Sequence, residues 1–208
     1  MVFKKVFWFL LDMRNLLFFI LIGLPLAACG QKYRDGDIIF QSSPSRQSAA
    51  IEEATQSPYS HCGVIFYENN VAYVYEAVQP VGKRRLDDWI ESGVNGTFVV
   101  KRLNDTSLLL KNELKALKSY TLQQFGKNYD GKFNWSDKEM YCSELVYKAY
   151  WNACHIQLAK PKALKDFNID GPIVRKIMKE RYGNEIPYDE PMISPDQLFN
   201  SRLLITVN

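Results

Sequence analysis

Apolar side chains recur at Leu110, Leu114 and Leu117, with Thr121 extending the stripe and Gly126 following as a stop. This spacing predicts an amphipathic helix over residues 107–125. A second stripe, Leu145, Val146, Ala149 and Ala153, predicts a helix that starts near Tyr141 and carries Cys142 on the same face one turn earlier. Two other stretches have a different rhythm. Residues 60–67 and 71–78 are dense in Val, Ile, Tyr and Phe, and Asn69-Asn70 separates them. Asn tolerates positive φ, so a β-hairpin closed by a two-residue primed turn is expected there. Shorter signals fill the gaps: a strand over 37–41, a helix over Arg46–Thr55 stopped before Pro58, and a short amphipathic helix over Leu86–Glu91. A strand over 97–103 and a last helix opened by Ser194-Pro195 complete the order. Strands that follow one another between helices favour an α+β fold, in which a small antiparallel sheet packs against helices.

The hairpin fixes a register. With Asn69 and Asn70 as the turn, Glu68 faces Val71, Gly63 faces Glu76 and His61 faces Val78. His61 and Glu76 are then diagonal neighbours on one face, about 7–8 Å apart at the backbone, and Gly63 leaves the space opposite Glu76 clear. His61 is one of two histidines in the chain. An imidazole held by a carboxylate is the base that a thiol nucleophile needs. Cys142 at a helix start suits that nucleophile, because unpaired N–H groups and the helix dipole favour the thiolate. Each residue alone has a plainer reading: a core cysteine, a satisfied histidine, a solvated strand carboxylate. Three matching roles together favour catalysis, with Cys142 as nucleophile, His61 as base and Glu76 as the acid that orients it. Tyr59 and Ser60 before His61, and Tyr141 before Cys142, are candidate substrate-binding residues, whereas Trp135 suits the aromatic core. The Cys142 backbone N–H is the natural oxyanion donor, and the pattern identifies no side-chain donor.

The first residues address the chain. Met13-Arg14-Asn15, the apolar run over 16–24 and Leu26-Ala27-Ala28-Cys29 have the order of a secretory leader, too short for a comfortable spanning helix. The last four residues resemble a bacterial lipobox. That implies a lipoprotein signal peptide over 1–28 (Met13 being an alternative start), a lipidated Cys29, a short tether over 29–34 and a catalytic domain over 35–208. Gly30 after Cys29 implies the periplasmic face of the outer membrane in a Gram-negative cell, with the lipid on Cys29 as the membrane contact.

The remaining cysteines are Cys62, Cys142 and Cys154, an odd set that a thiol kept free would explain in an oxidising compartment. Cys62 is expected on the sheet face opposite His61, and Cys154 about 18 Å along the helix from Cys142, so neither is expected to pair with Cys142. Cys154-His155 is too sparse a donor set for zinc, and neither a metal nor a cofactor is expected. The net charge of +3 falls close to neutral once Lys4, Lys5, Asp12 and Arg14 leave with the leader, which argues against nucleic-acid binding as the main task. Lys83-Arg84-Arg85 reads as a solvated loop.

Taken in order, Asp35-Gly36-Asp37-Ile38-Ile39-Phe40, Tyr59-Ser60-His61-Cys62-Gly63, Tyr75-Glu76-Ala77-Val78, Tyr141-Cys142-Ser143-Glu144 and Ile193-Ser194-Pro195-Asp196 form a recognisable set. They resemble the circularly permuted papain-like hydrolases of the YiiX/YaeF type, relatives of the NlpC-type cell-wall peptidases. The likeness runs from about Asp35 to Leu203. It implies the permuted papain-like fold, the same three catalytic residues, and Asp37 near the cleft on a strand beside the hairpin. By analogy the reaction is acyl transfer through a Cys142 thioester, on a cell-envelope amide of peptide or peptidoglycan-stem type. One alternative is a lipid esterase or acyltransferase similar to the lecithin–retinol acyltransferase group, which shares the His-before-Cys order. Another is a non-catalytic cell-wall binding module. The pattern sets no oligomeric state.

Overall fold

A computed structural model of the chain describes residues 32–207, and the leader with Cys29 lies outside them. The strands are β1 (Ile38–Gln41), β2 (His61–Glu68), β3 (Val71–Glu76), β4 (Gly82–Arg85), β5 (Val99–Leu103), β6 (Lys162–Ala163), β7 (Pro191–Met192) and β8 (Leu204–Val207). Six of them form one sheet in the order β4-β3-β2-β1-β5-β8, with every neighbouring pair antiparallel, and β6 and β7 make a separate ribbon. The helices are α1 (Arg46–Thr55), α2 (Leu86–Glu91), α3 (Lys111–Gln123), α4 (Cys142–Cys154), α5 (Pro172–Tyr182) and α6 (Pro195–Phe199). Among the described residues, no helix is long and apolar enough to cross a membrane.

Strand alternation explains the layers. Ile38, Phe40, Cys62, Val64 and Phe66 point to one face, where α4 supplies Val146, Ala149 and Tyr150 and α3 supplies Leu117. Ile39, Ile65, Val74 and Val100 point to the other, beneath Leu86 and Trp89 of α2. Every residue of α4 from Cys142 to Tyr150 is buried, so this is the central helix of the domain. Each large apolar side chain enclosed in these layers contributes roughly 1.5–3 kcal/mol relative to exposure. A third cluster joins Ala50 of α1 to Val174, Ile177 and Met178 of α5, with Leu164 and Met192 beside them.

The hairpin forms in the expected register. Asn69 and Asn70 take φ of 49° and 64°, Glu68 pairs with Val71 and Val64 with Tyr75. A Cβ on Gly63 would lie 2.5 Å from Val74 Cγ1 and 2.8 Å from the Tyr75 carbonyl oxygen. Gly63→Ala is therefore expected to destabilise the domain by about 1–3 kcal/mol, seen as a lower urea midpoint at an unchanged slope. An unchanged midpoint would show that this strand yields more easily than its packing implies.

Some elements depart from expectation. Helix α3 starts at Lys111 rather than at residue 107, because Asp105 Oδ1 accepts the Ser107 N–H at 3.0 Å and holds Thr106–Leu108 in a tighter 3-10 turn. Leu110 is consequently an exposed N-cap rather than part of the buried stripe. Lys83-Arg84-Arg85 belongs to edge strand β4, not to a loop. Helix α5 and strand β8 add elements that the sequence reading does not contain.

Candidate active site

Cys142 is the first residue of α4, and Tyr141 before it is extended at φ −105°, ψ 167°. Glu144 fixes this helix start. Its Oε2 accepts the Tyr141 N–H at 3.3 Å, while Lys148 Nζ lies 2.8 Å from its Oε1 and 2.8 Å from Asp137 Oδ1. Burial pushes the Glu144 carboxyl up to about 7, with Lys148 opposing. The distant motif residue Ile193 ties in here as well: its carbonyl accepts from Ser143 Oγ at 2.7 Å, and its N–H donates to Tyr141 Oη at 3.1 Å.

His61 opens β2 and Glu76 closes β3, and His61 Nε2 lies 2.6 Å from Glu76 Oε2. The same oxygen accepts the Trp89 indole N–H at 2.8 Å, and the indole stacks on the imidazole at 5.8 Å and 25°. Arg84 Nε sits 3.3 Å from Glu76 Oε1, close enough for an ion pair but without hydrogen-bond geometry. With Nε2 engaged by Glu76, Nδ1 remains for the Cys142 sulfur. Burial works against the charged imidazole, but the Cys142 sulfur and then the Glu76 carboxylate outweigh it and raise His61 to about 10. Cys142 moves the other way. The Cys62 thiol beside it and, against the penalty of burial, the His61 imidazole hold it well below the ordinary thiol range. Together these shifts describe a buried thiolate–imidazolium pair.

An open cavity reaches Cys142, walled mainly by carbon from Ala50, Ile51, Phe167, Val174, Ile177 and Met178. Tyr141 is part of its wall. Tyr59 and Ser60 are not. Tyr59 stacks on Phe199 at 4.3 Å, and Ser60 Oγ is spent on Glu52 Oε1 at 3.0 Å, although the Ser60 carbonyl oxygen comes within 3.9 Å of Cys142 Sγ. Asp37 is not brought to the site. Arg102 grips it with Nε at 2.7 Å and Nη2 at 2.6 Å, just before the end of β1 away from Gln41, the residue that pairs with His61. A buried carboxylate requires such a partner, which accounts for Asp37 without chemistry.

Cys62 also differs from expectation. It does face away from His61, but α4 packs on the Cys62 face, so Cys62 and Cys142 share one apolar cluster. His61, as the first residue of its strand, still reaches the sulfur. Cys154 is remote from both, with Sγ 3.5 Å from the Glu113 carbonyl oxygen.

Several groups at the site carry no signal in the sequence beyond their residue type. Trp89 and Arg84 are two, and Tyr129 is a third. The Tyr129 oxygen accepts Gln47 Nε2–H at 2.5 Å, and Gln47 Oε1 accepts Arg181 Nη2–H at 2.5 Å. Among the described residues, the Tyr129 hydroxyl hydrogen has no acceptor. Burial, and after it the charge on Cys142, push this phenol well above its usual range, so it stays protonated.

Residues 32–207 match the family described as permuted papain-like amidase enzyme, YaeF/YiiX, C92 family. YiiX of Escherichia coli K12 is 40% identical over 195 residues, which cover 94% of this chain and 96% of YiiX. A crystal structure of YiiX from E. coli O157:H7, described there as a metalloprotein, matches with a TM-score of 0.81 at 41% identity, over 85% of this chain and 97% of that one. The mixed fold, a helix-borne cysteine after a histidine hairpin, and this likeness along the whole domain agree. The chain belongs to the YaeF/YiiX family of permuted papain-like cysteine amidases.

Proposed function

We propose that the protein hydrolyses an amide of the cell envelope through a Cys142 thioester, a reading carried by the buried thiolate–imidazolium pair anchored on Glu76. The thiolate attacks the carbonyl carbon, and the charge on oxygen is received by the Cys142 N–H at the start of α4 and by the free O–H of Tyr129. Charged His61 gives its Nδ1 proton to the leaving amine as the C–N bond breaks, which leaves a thioester and a neutral imidazole. That imidazole then takes a proton from water, the oxygen attacks the thioester, and collapse frees the acid and restores the thiolate. Glu76 holds the Nε2–H throughout. The lipobox-like Leu26-Ala27-Ala28-Cys29 supports the envelope location, with lipid on Cys29 as the membrane tether.

The carbon-lined cavity favours an apolar acyl group over a charged peptidoglycan stem on that side of Cys142. This observation also supports the second reading, an enzyme acting on lipid acyl groups. A more polar groove with Lys162, Asp166, Asn168 and Gln197 adjoins the cavity and would suit the polar remainder of either substrate. The metal attributed to E. coli YiiX finds no matching donor set here: among the described residues, no group of three or more His, Cys, Asp or Glu could hold an ion.

A series of acyl p-nitroanilides of increasing chain length tests this reading. Each methylene that enters the cavity is expected to raise kcat/KM about fourfold, the equivalent of ~0.8 kcal/mol, until the cavity is full, and Cys142→Ala abolishes turnover. A flat response to length together with cleavage of stem peptides would favour the peptidoglycan substrate. Turnover that survives Cys142→Ala would remove the thioester mechanism altogether.

A further inference from the structure

Two thiols meet at this site, and their surroundings differ. Cys62 and Cys142 are 0% and 2% exposed within one cluster between β2 and α4. The Cys142 sulfur lies 3.9 Å from the carbonyl oxygen of Ser60, two residues before Cys62, and Cys62 is the neighbour that acts most strongly on its charge. Access is unequal. Cys142 forms part of the cavity wall, whereas Cys62 is fully enclosed and takes no part in that wall. A small oxidant entering the cavity therefore meets Cys142 first, and Cys62 can react only through the Cys142 sulfur. Charge points the same way: Cys142 is the ionised thiol, while burial, first among its causes, keeps Cys62 protonated. Cys154 sits apart, near Glu113, and cannot take this role.

We propose that Cys62 is a resolving thiol: peroxide oxidises Cys142, and Cys62 captures the product as an internal Cys62–Cys142 disulfide that closes the site reversibly. In the first step the Cys142 thiolate attacks one peroxide oxygen. The O–O bond breaks, and a sulfenic acid and a hydroxide result, the latter neutralised by the His61 imidazolium. In the second step the Cys62 sulfur attacks the Cys142 sulfur, the S–O bond breaks, and the hydroxyl leaves with the Cys62 proton as water. The sulfur pair has lost two electrons and the peroxide has become two waters. The disulfide removes the nucleophile, and it also stops Cys142 from advancing to the sulfinic and sulfonic acids that thiol reductants do not reverse.

This inference rests on Cys142 being the ionised thiol but on no particular substrate. The full chain is exposed to hydrogen peroxide, its remaining thiols are blocked, and it is digested without reduction for mass spectrometry. The expected product is a Cys62 peptide joined to a Cys142 peptide, two hydrogens lighter than their sum. Reactivity of Cys142 toward iodoacetamide falls as this product accumulates and returns with dithiothreitol. In Cys62→Val the same treatment leaves Cys142 carrying two or three oxygens, and dithiothreitol restores nothing. A wild-type chain whose Cys142 gains those oxygens with no crosslink overturns the proposal, and this result decides even if Cys62→Val does not fold. Failure of the underlying reading has a different signature: untreated Cys142 would then alkylate no faster than a free thiol.

Discussion

His61→Ala is expected to lower kcat/KM for amide hydrolysis by about five to six orders of magnitude, the scale seen when a triad base is removed. The same change should slow iodoacetamide alkylation of Cys142 at neutral pH toward that of an unperturbed thiol, with a pKa near ~8.5. In the wild type the useful state is charged at both ends. Because the His61 pKa is raised to about 10, the proton needed by the leaving amine is present at all lower pH and is lost as pH rises through that value. Because the Cys142 pKa is lowered, the thiolate is lost only on the acid side. The kcat/KM profile should therefore be a broad bell with its upper limb near 10. Glu76→Gln keeps a carbonyl oxygen for Nε2–H but removes the negative charge, so the upper limb should move to lower pH. A limb that stays in place would show that Glu76 does not hold the imidazolium.

Tyr129→Phe should lower kcat by about 10²–10³, the cost of one oxyanion donor, and leave alkylation of Cys142 by iodoacetamide unchanged. The two reactions share the thiolate but differ in what develops next. Attack on an amide carbonyl builds charge on oxygen, whereas alkylation at a saturated carbon does not. The polar chain Arg181–Gln47–Tyr129 supplies the geometry, since the guanidinium holds Oε1 of Gln47 and so turns its amide N–H toward the phenol oxygen. The phenol hydrogen, with no acceptor among the described residues, is the donor proposed for the oxyanion. If Tyr129→Phe slowed alkylation as strongly as hydrolysis, Tyr129 would be supporting the thiolate itself rather than the oxyanion.

Much of the site could be read from the chain because its base and its orienting acid lie on one hairpin. A two-residue Asn-Asn turn determines the register, and the register alone puts His61 and Glu76 within reach of each other. The helix stripe placed Cys142 at a helix start for an equally local reason. What escaped was tertiary. Alternation along β2 says that Cys62 and His61 face opposite ways, but not which face receives α4. Asp37 follows a glycine turn on a neighbouring strand, and only the fold shows that Arg102 claims it. Strand β4 has no apolar alternation, since Gly82-Lys83-Arg84-Arg85 is a charged sheet edge held by backbone pairing to β3. Helix α5 did leave a trace, with Val174, Ile177 and Met178 at helical spacing after Gly171-Pro172, but charged residues surround those positions and mute the stripe. Tyr129 lies in an aperiodic stretch between α3 and α4, where no spacing argument applies.

The position of the hairpin also orders events in time. His61 and Glu76 are 15 residues apart in the chain, whereas the Ser60–Cys142 contact spans 82. During synthesis the base and its carboxylate can therefore come together as a local unit long before the helix that bears the sulfur exists. Until α4 docks on the sheet, Cys142 is an ordinary thiol with no imidazole beside it, and a nascent or unfolded chain carries little chemical hazard to its neighbours. Reactivity in this protein arises only with a long-range contact of its folding, so a measured rate of thiol labelling also reports the docking of α4 on the sheet.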